Sequence, residues 1–121
     1  MSVILVVEDD VFIRQVAEMM IEDLGHQTLS ASDVNEALVL LNSSSHIDAI
    51  FTDVYLKTAV HGGCELATQA IVLRPQLRVL YTTGNTVTDT MKSMFLEGTQ
   101  FLRKPYTQIA LQDAVSQLLA A

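Results

Sequence analysis

Five short apolar runs alternate with five stretches of helical period along 121 residues, and no other feature of the chain narrows its fold as much. The runs are Val3–Val7, His26–Ala31, Ile47–Thr52, Leu77–Thr82 and Thr99–Arg103. Several are almost wholly apolar, as strands must be when both faces of a parallel sheet are covered. The second alternates instead, Leu29 and Ala31 against Thr28 and Ser30, which suits an edge strand with one wetter face. Between the runs, the first helical stretch sets Ile13, Val16, Ala17, Met20 and Leu24 on one stripe. Arg14, Glu18 and Glu22 lie on its opposite face, and Gly25 is the stop. The second starts at Ser32 or Asp33 and turns Val34, Ala37, Leu38 and Leu41 inward. The third carries Leu66, Ala67, Ala70 and Ile71 and must end before Pro75. The fourth opens at Thr86, with Val87, Met91, Met94 and Phe95 as its stripe and Gly98 after it; the fifth opens at Thr107, with Leu111, Ala114, Val115 and Leu118 inward. Strict βα alternation predicts a doubly wound α/β domain, a parallel sheet with right-handed crossovers and helices on both faces. The length fits one domain over residues 1–121.

Composition narrows the partners. With 50% hydrophobic residues the chain can fill a core and lacks the make-up of a disordered segment. A net charge of -7 argues against direct, non-specific nucleic-acid binding, which needs a basic face. Cys64 stands alone and makes no intramolecular disulfide, which fits a reducing compartment. Val3–Val7 is too short for a signal-peptide core or a membrane span and runs straight into Glu8, Asp9 and Asp10. The expectation is a soluble, cytoplasmic protein with no membrane partner.

The polar residues carry the chemistry. Ligands of open parallel sheets bind outside the carboxyl ends of the strands. Glu8 and Asp9 follow the first strand, Asp53 ends the third, Thr83 the fourth and Lys104 the fifth. All five should therefore meet on one rim. Three crowded carboxylates repel one another and call for a cation; an all-oxygen set suits Mg²⁺, with Mn²⁺ as the alternative. His26, His46 and His61 are scattered, so no zinc cluster forms. A carboxylate beside Mg²⁺ is a nucleophile toward phosphoryl groups, and phosphoryl transfer asks mainly for positioning and charge neutralisation. Lys104 and the Thr83 hydroxyl are fitting partners for the phosphoryl oxygens. Taken singly, Asp9 or Asp10 could equally cap the first helix, Asp53 could be a turn residue, and Lys104 a surface lysine.

The motifs Val6-Val7-Glu8-Asp9, Thr52-Asp53-Val54, Thr82-Thr83-Gly84 and Phe101-Leu102-Arg103-Lys104-Pro105, in this order and spacing, resemble the receiver domains of two-component response regulators over essentially the whole chain. The resemblance implies a flavodoxin-like fold with strand order 2-1-3-4-5. It implies Asp53 as phosphoacceptor, Asp9 as a direct Mg²⁺ ligand, Glu8 as a ligand through water, and the Tyr55 backbone carbonyl as the remaining protein ligand. Thr83 and Phe101 would be the switch pair, Lys104 would contact the phosphoryl group, and Lys104-Pro105 would be cis. Thr83 is preferred to Thr82 because neighbours on a strand point to opposite sides and Gly84 follows. Tyr55 and Asn85 would tune the phosphoryl lifetime; Tyr55 either shields the group or simply faces solvent. The chain departs from the pattern at Leu56–Gly63, read as a loop lengthened by about two residues with Lys57 in place of a common proline, and in a segment before Lys104 that looks one residue short.

The implied partners are a histidine kinase or histidine phosphotransfer protein, an unknown downstream protein, and a second copy in a phosphorylation-dependent homodimer. The chain ends as the fifth helix finishes, which reads as a stand-alone regulator and equally fits a receiver cut from a larger regulator or hybrid kinase. An aspartyl phosphatase would need an acid where Tyr55 stands, and a dinucleotide binder a glycine-rich turn where Glu8-Asp9-Asp10 stand. A purely structural pseudo-receiver is disfavoured by the intact Asp9, Asp53 and Lys104 set. His61 is expected as a solvated loop residue, and Cys64 as packing.

Overall fold

A computed structural model describes residues 2–56, 62–84, 88–96 and 99–120. The chain order is β1 (Val3–Val7), α1 (Val11–Asp23), β2 (Gln27–Ala31), α2 (Val34–Leu41), β3 (Ala49–Asp53), α3 (Gly62–Leu73), β4 (Arg78–Thr83), α4 (Asp89–Met94), β5 (Gln100–Arg103) and α5 (Gln108–Ala120). The strands form one parallel sheet in the order β2-β1-β3-β4-β5. This is the flavodoxin-like architecture, with β2 at an edge as its alternating pattern required.

Period-2 alternation divides the core in two. Ile4, Val6, Ala49, Phe51 and Leu80 face α1 and α5, where they meet Ala17, Ile21, Leu111 and Val115. Leu5, Val7, Ile50, Val79 and Tyr81 face the other layer, where they meet Ala37, Leu41, Leu66, Ala67, Ala70 and Met91. Burying each Val, Leu or Ile contributes roughly 1.5–3 kcal/mol, so both layers are needed to hold so small a sheet.

Local chemistry sets the helix ends. Asp10, not Asp9, caps α1: its carboxylate accepts the Ile13 N–H at 3.0 Å. Gly25 ends that helix at φ 94, a conformation that L side chains rarely adopt, and its N–H reaches Glu22 O at 2.9 Å. Asp33 caps α2 by accepting the Glu36 N–H at 2.8 Å, which decides between Ser32 and Asp33. Thr107 accepts the Ala110 N–H at 3.1 Å at the start of α5. α3 stops ahead of Pro75, and the Arg74 guanidinium ties it to the end of α2 through the carbonyls of Leu41 and Ser43.

Several expectations need correction. Ile13 and Val16, on the apolar stripe of α1, are 39% and 51% exposed. The apolar side of α1 is wider than the strip the sheet covers: Ala17 and the unforeseen Ile21 take the buried positions, and the first turns overhang the Lys104–Tyr106 segment. Arg14, on the face opposite the stripe, turns back to the main chain and is half-buried. The cap of α4 is Thr88, accepting the Met91 N–H at 3.1 Å, and the helix ends before Phe95; Met94 is exposed. Gly62 and Gly63 belong to α3, not to a loop ending at Gly63. Cys64 is buried as expected, and burial pushes its thiol above the ordinary value. Lys57, His61, Asn85, Thr86, Val87 and Gly98 lie outside the described residues.

Candidate functional site

The sheet register brings the carboxyl ends of the strands level. Val7 lies opposite Thr52, Asp53 opposite Thr82, and Thr83 opposite Arg103. The residue after each end therefore opens onto a common rim. Glu8 leaves β1 with its N–H on Ala31 O, and Lys104 leaves β5 with its N–H on Thr83 O.

On that rim the Lys104 ammonium donates to Glu8 Oε1 and, at 2.9 Å, to Asp53 Oδ2. The other Asp53 oxygen, Oδ1, accepts the Tyr55 N–H at 3.2 Å. Both oxygens of the carboxylate are thus oriented. Asp9 completes the cluster: one carboxylate oxygen each from Glu8, Asp9 and Asp53 lie within 4.8 Å of one another. Glu8 and Asp53 are buried and Asp9 is half-buried. The peptide bond Lys104-Pro105 is cis.

Electrostatics follow from burial and crowding. Burial pushes the Glu8 carboxyl up to about 7; the Lys104 hydrogen bond opposes this, and the Asp53 charge and an Asp9 hydrogen bond reinforce it. Burial alone would pull the Lys104 ammonium down, but hydrogen bonds and charge from Glu8 and Asp53 outweigh it and hold the group above the ordinary lysine value. Among the described residues one lysine faces three carboxylates, so the rim keeps excess negative charge in a poorly solvated place.

The remaining site residues fall into place by strand alternation. Thr83 is fully buried at the end of β4, on the same face as Tyr81. Thr82 points the other way and donates its hydroxyl to Leu102 O at 2.8 Å. Phe101 pairs with Tyr81 in register and is 36% exposed. Its ring centroid lies 6.0 Å from Phe95, which in turn stacks on Tyr81 at 4.3 Å and 14°. The Tyr81 hydroxyl accepts the Leu96 N–H at 3.1 Å. Tyr55 is half-buried against the α2–α3 layer.

Three contributors carried no readable signal in the sequence. The Arg14 guanidinium donates to Glu8 O at 3.0 Å and so braces the acidic turn. Tyr106 packs edge-on against Phe51, centroids 6.0 Å apart, and burial pushes its hydroxyl up. With Phe12, Ile13, Val16, Met20, Lys104 and Pro105 it lines an apolar groove of about 310 Å³ beside the acidic rim. Gly63 reaches the acceptor strand through its N–H, 3.1 Å from Val54 O. No helix among the described residues is long and apolar enough to cross a membrane.

Comparisons with known proteins agree with this fold. A response regulator receiver protein from Sinorhizobium medicae is similar in structure, with a TM-score of 0.89 and 28% identity over 99% of this chain and 95% of that one. NtrX from Brucella abortus is similar at a TM-score of 0.86 and 28% identity, over 98% of this chain and 27% of that one. In sequence the chain is 27% identical to Histidine kinase 5 of Arabidopsis thaliana over 96% of its own length, spanning about 15% of that protein. Residues 4–116 match the model of the response regulator receiver domain, and the chain belongs to that family of phosphoacceptor signalling switches, which are not conventional enzymes.

Proposed function

We propose that Asp53 accepts a phosphoryl group from a phosphohistidine of a histidine kinase or histidine phosphotransfer protein, and that the chain then changes the surface it offers to a downstream protein. The observation that carries this is the rim itself: a buried carboxylate with one oxygen held by Lys104 and the other by the Tyr55 N–H. In the transfer an Asp53 oxygen forms a P–O bond as the P–N bond to the donor imidazole breaks, and that bond's electron pair stays on the imidazole nitrogen. The chain's own residues promote the step. Lys104 exchanges a carboxylate contact for one to the phosphoryl oxygens, and the Thr83 hydroxyl turns to another, whereas the Thr82 hydroxyl points away to Leu102 O.

The donor set fits a hard divalent cation, Mg²⁺ or Mn²⁺: oxygens only, close together, with negative charge in excess of Lys104. Asp9, Asp53 and the Tyr55 carbonyl would hold it directly and Glu8 through water. When bound it supplies positive charge for the transferring oxygens. The donor protein rests, in this proposal, on the apolar groove along α1, where Phe12 is 80% exposed and Lys104 joins groove to rim.

The switch pair is Thr83 and Phe101. Phosphorylation replaces one negative charge on Asp53 with roughly two, and Thr83 moves toward the added oxygens. Phe101 then turns inward, which displaces Phe95 from Tyr81, so the surface of α4, β5 and α5 changes. A homodimer through that surface is one output to be tested. Tyr55 and Asn85 set how readily water reaches the phosphoryl group. A cytoplasmic location follows from the phosphodonors invoked. The deciding experiment is Asp53→Asn treated with acetyl phosphate and Mg²⁺: the wild type gains the mass of one phosphoryl group and the variant gains none. Full incorporation in the variant would remove Asp53 as the acceptor.

A further inference from the structure

Building on the assignment of Asp53 as acceptor, we propose that Gly63 is a positioning residue: its bare Cα in the first turn of α3 sets the angle of the Asp53-Val54 peptide, and through it the pose of the acceptor carboxylate. A Cβ built on Gly63 would stand 2.9 Å from the carbonyl carbon of Asp53 and 2.9 Å from Cα of Val54, and would overlap the Asp53 carbonyl oxygen outright. All three are backbone atoms, so no rotamer change makes room. Among the described glycines, only Gly25 has a positive φ. Gly25 needs glycine for its conformation and has open space where a Cβ would go. Gly63 is the reverse: its backbone would accept any L residue, and only the missing Cβ lets α3 approach β3 so closely.

The contact bears on the site because of what the touched segment carries. Asp53, Val54 and Tyr55 are consecutive, and the tripeptide supplies the acceptor carboxylate and the Tyr55 carbonyl. It is clamped from both sides. Val54 donates its N–H to Thr82 O at 2.9 Å on β4, and Val54 O accepts the Gly63 N–H at 3.1 Å from α3. Tyr55 then folds its N–H back onto Asp53 Oδ1. α3 itself cannot retreat easily, because Leu66, Ala67 and Ala70 are wholly buried. Added bulk at Gly63 therefore displaces the tripeptide, whose last two residues lie beyond the end of β3.

The test is Gly63→Ala, with Val79→Ala, a buried β4 substitution away from the tripeptide, as the comparison for a general loss of core stability. Amide exchange of Val54 and Tyr55 is measured in the metal-free proteins relative to the core strands, followed by Mg²⁺ affinity by calorimetry. Gly63→Ala is expected to speed exchange at those two amides and weaken Mg²⁺ binding, each on the order of tenfold or more, while Val79→Ala changes neither. A Gly63→Ala protein that behaves like Val79→Ala overturns the proposal. So does one that cannot fold, since the contact would then serve the core as a whole. If the wild type neither binds Mg²⁺ nor takes a phosphoryl group, the acceptor assignment falls, and the amide exchange still decides the role of Gly63.

Discussion

Lowering the pH from 8 to 6 should weaken divalent-cation binding through Glu8. Burial holds this carboxyl up to about 7 in the metal-free protein. About nine-tenths of it is then ionised at pH 8 and about one-tenth at pH 6, so apparent Mg²⁺ affinity should fall by nearly tenfold, or about 1.4 kcal/mol. The sign for stability is the opposite of the usual carboxylate case. An acid whose folded value is raised favours the folded state only while it is protonated, so its contribution is lost as pH rises from the ordinary 4.5 through about 7. The full shift corresponds to about 3 kcal/mol, and Mg²⁺ should restore the lost stability. Lys104 does not confuse this window, because its ammonium is held above its ordinary value and stays charged throughout. The assay is Mg²⁺ calorimetry at pH 6, 7 and 8, with thermal unfolding run in chelator and in Mg²⁺. Glu8→Gln should flatten both pH profiles. A wild-type affinity that is flat over this range, or a Glu8→Gln protein that keeps the slope, would refute the reasoning.

The aromatic stack and the acceptor's neighbour give two more expectations. Phe95→Ala removes a stacked pair worth about 0.5–1.5 kcal/mol and opens the space beside Tyr81, so the Phe101 ring should move inward without phosphorylation; fluorine NMR of labelled phenylalanine reads this directly, and an unmoved ring would contradict the proposed switch. Tyr55→Ala removes half-buried bulk next to Asp53, so the phosphorylated protein should lose its phosphoryl group several-fold faster, about 1 kcal/mol in the barrier; an unchanged lifetime would show that the ring merely packs.

Architecture and the membership of the rim were legible in the residue pattern. Apolar runs such as Val3–Val7 and Ala49–Asp53 can be satisfied only as covered parallel strands, and in such a sheet the residues Glu8, Asp9, Asp53 and Lys104 necessarily share one edge. Features that depend on approach and angle emerged only from the packing of the elements. No period in the sequence tells that Asp10 takes the cap of α1, that Arg14 turns inward to Glu8 O, or that Phe95 and not Phe101 lies on Tyr81. Ile13 and Val16 looked inward because periodicity reports which side of a helix is apolar, not how far the sheet beneath extends. Gly63 looked like loop glycine because a missing Cβ leaves no pattern; only the distance between α3 and β3 gives its absence a meaning.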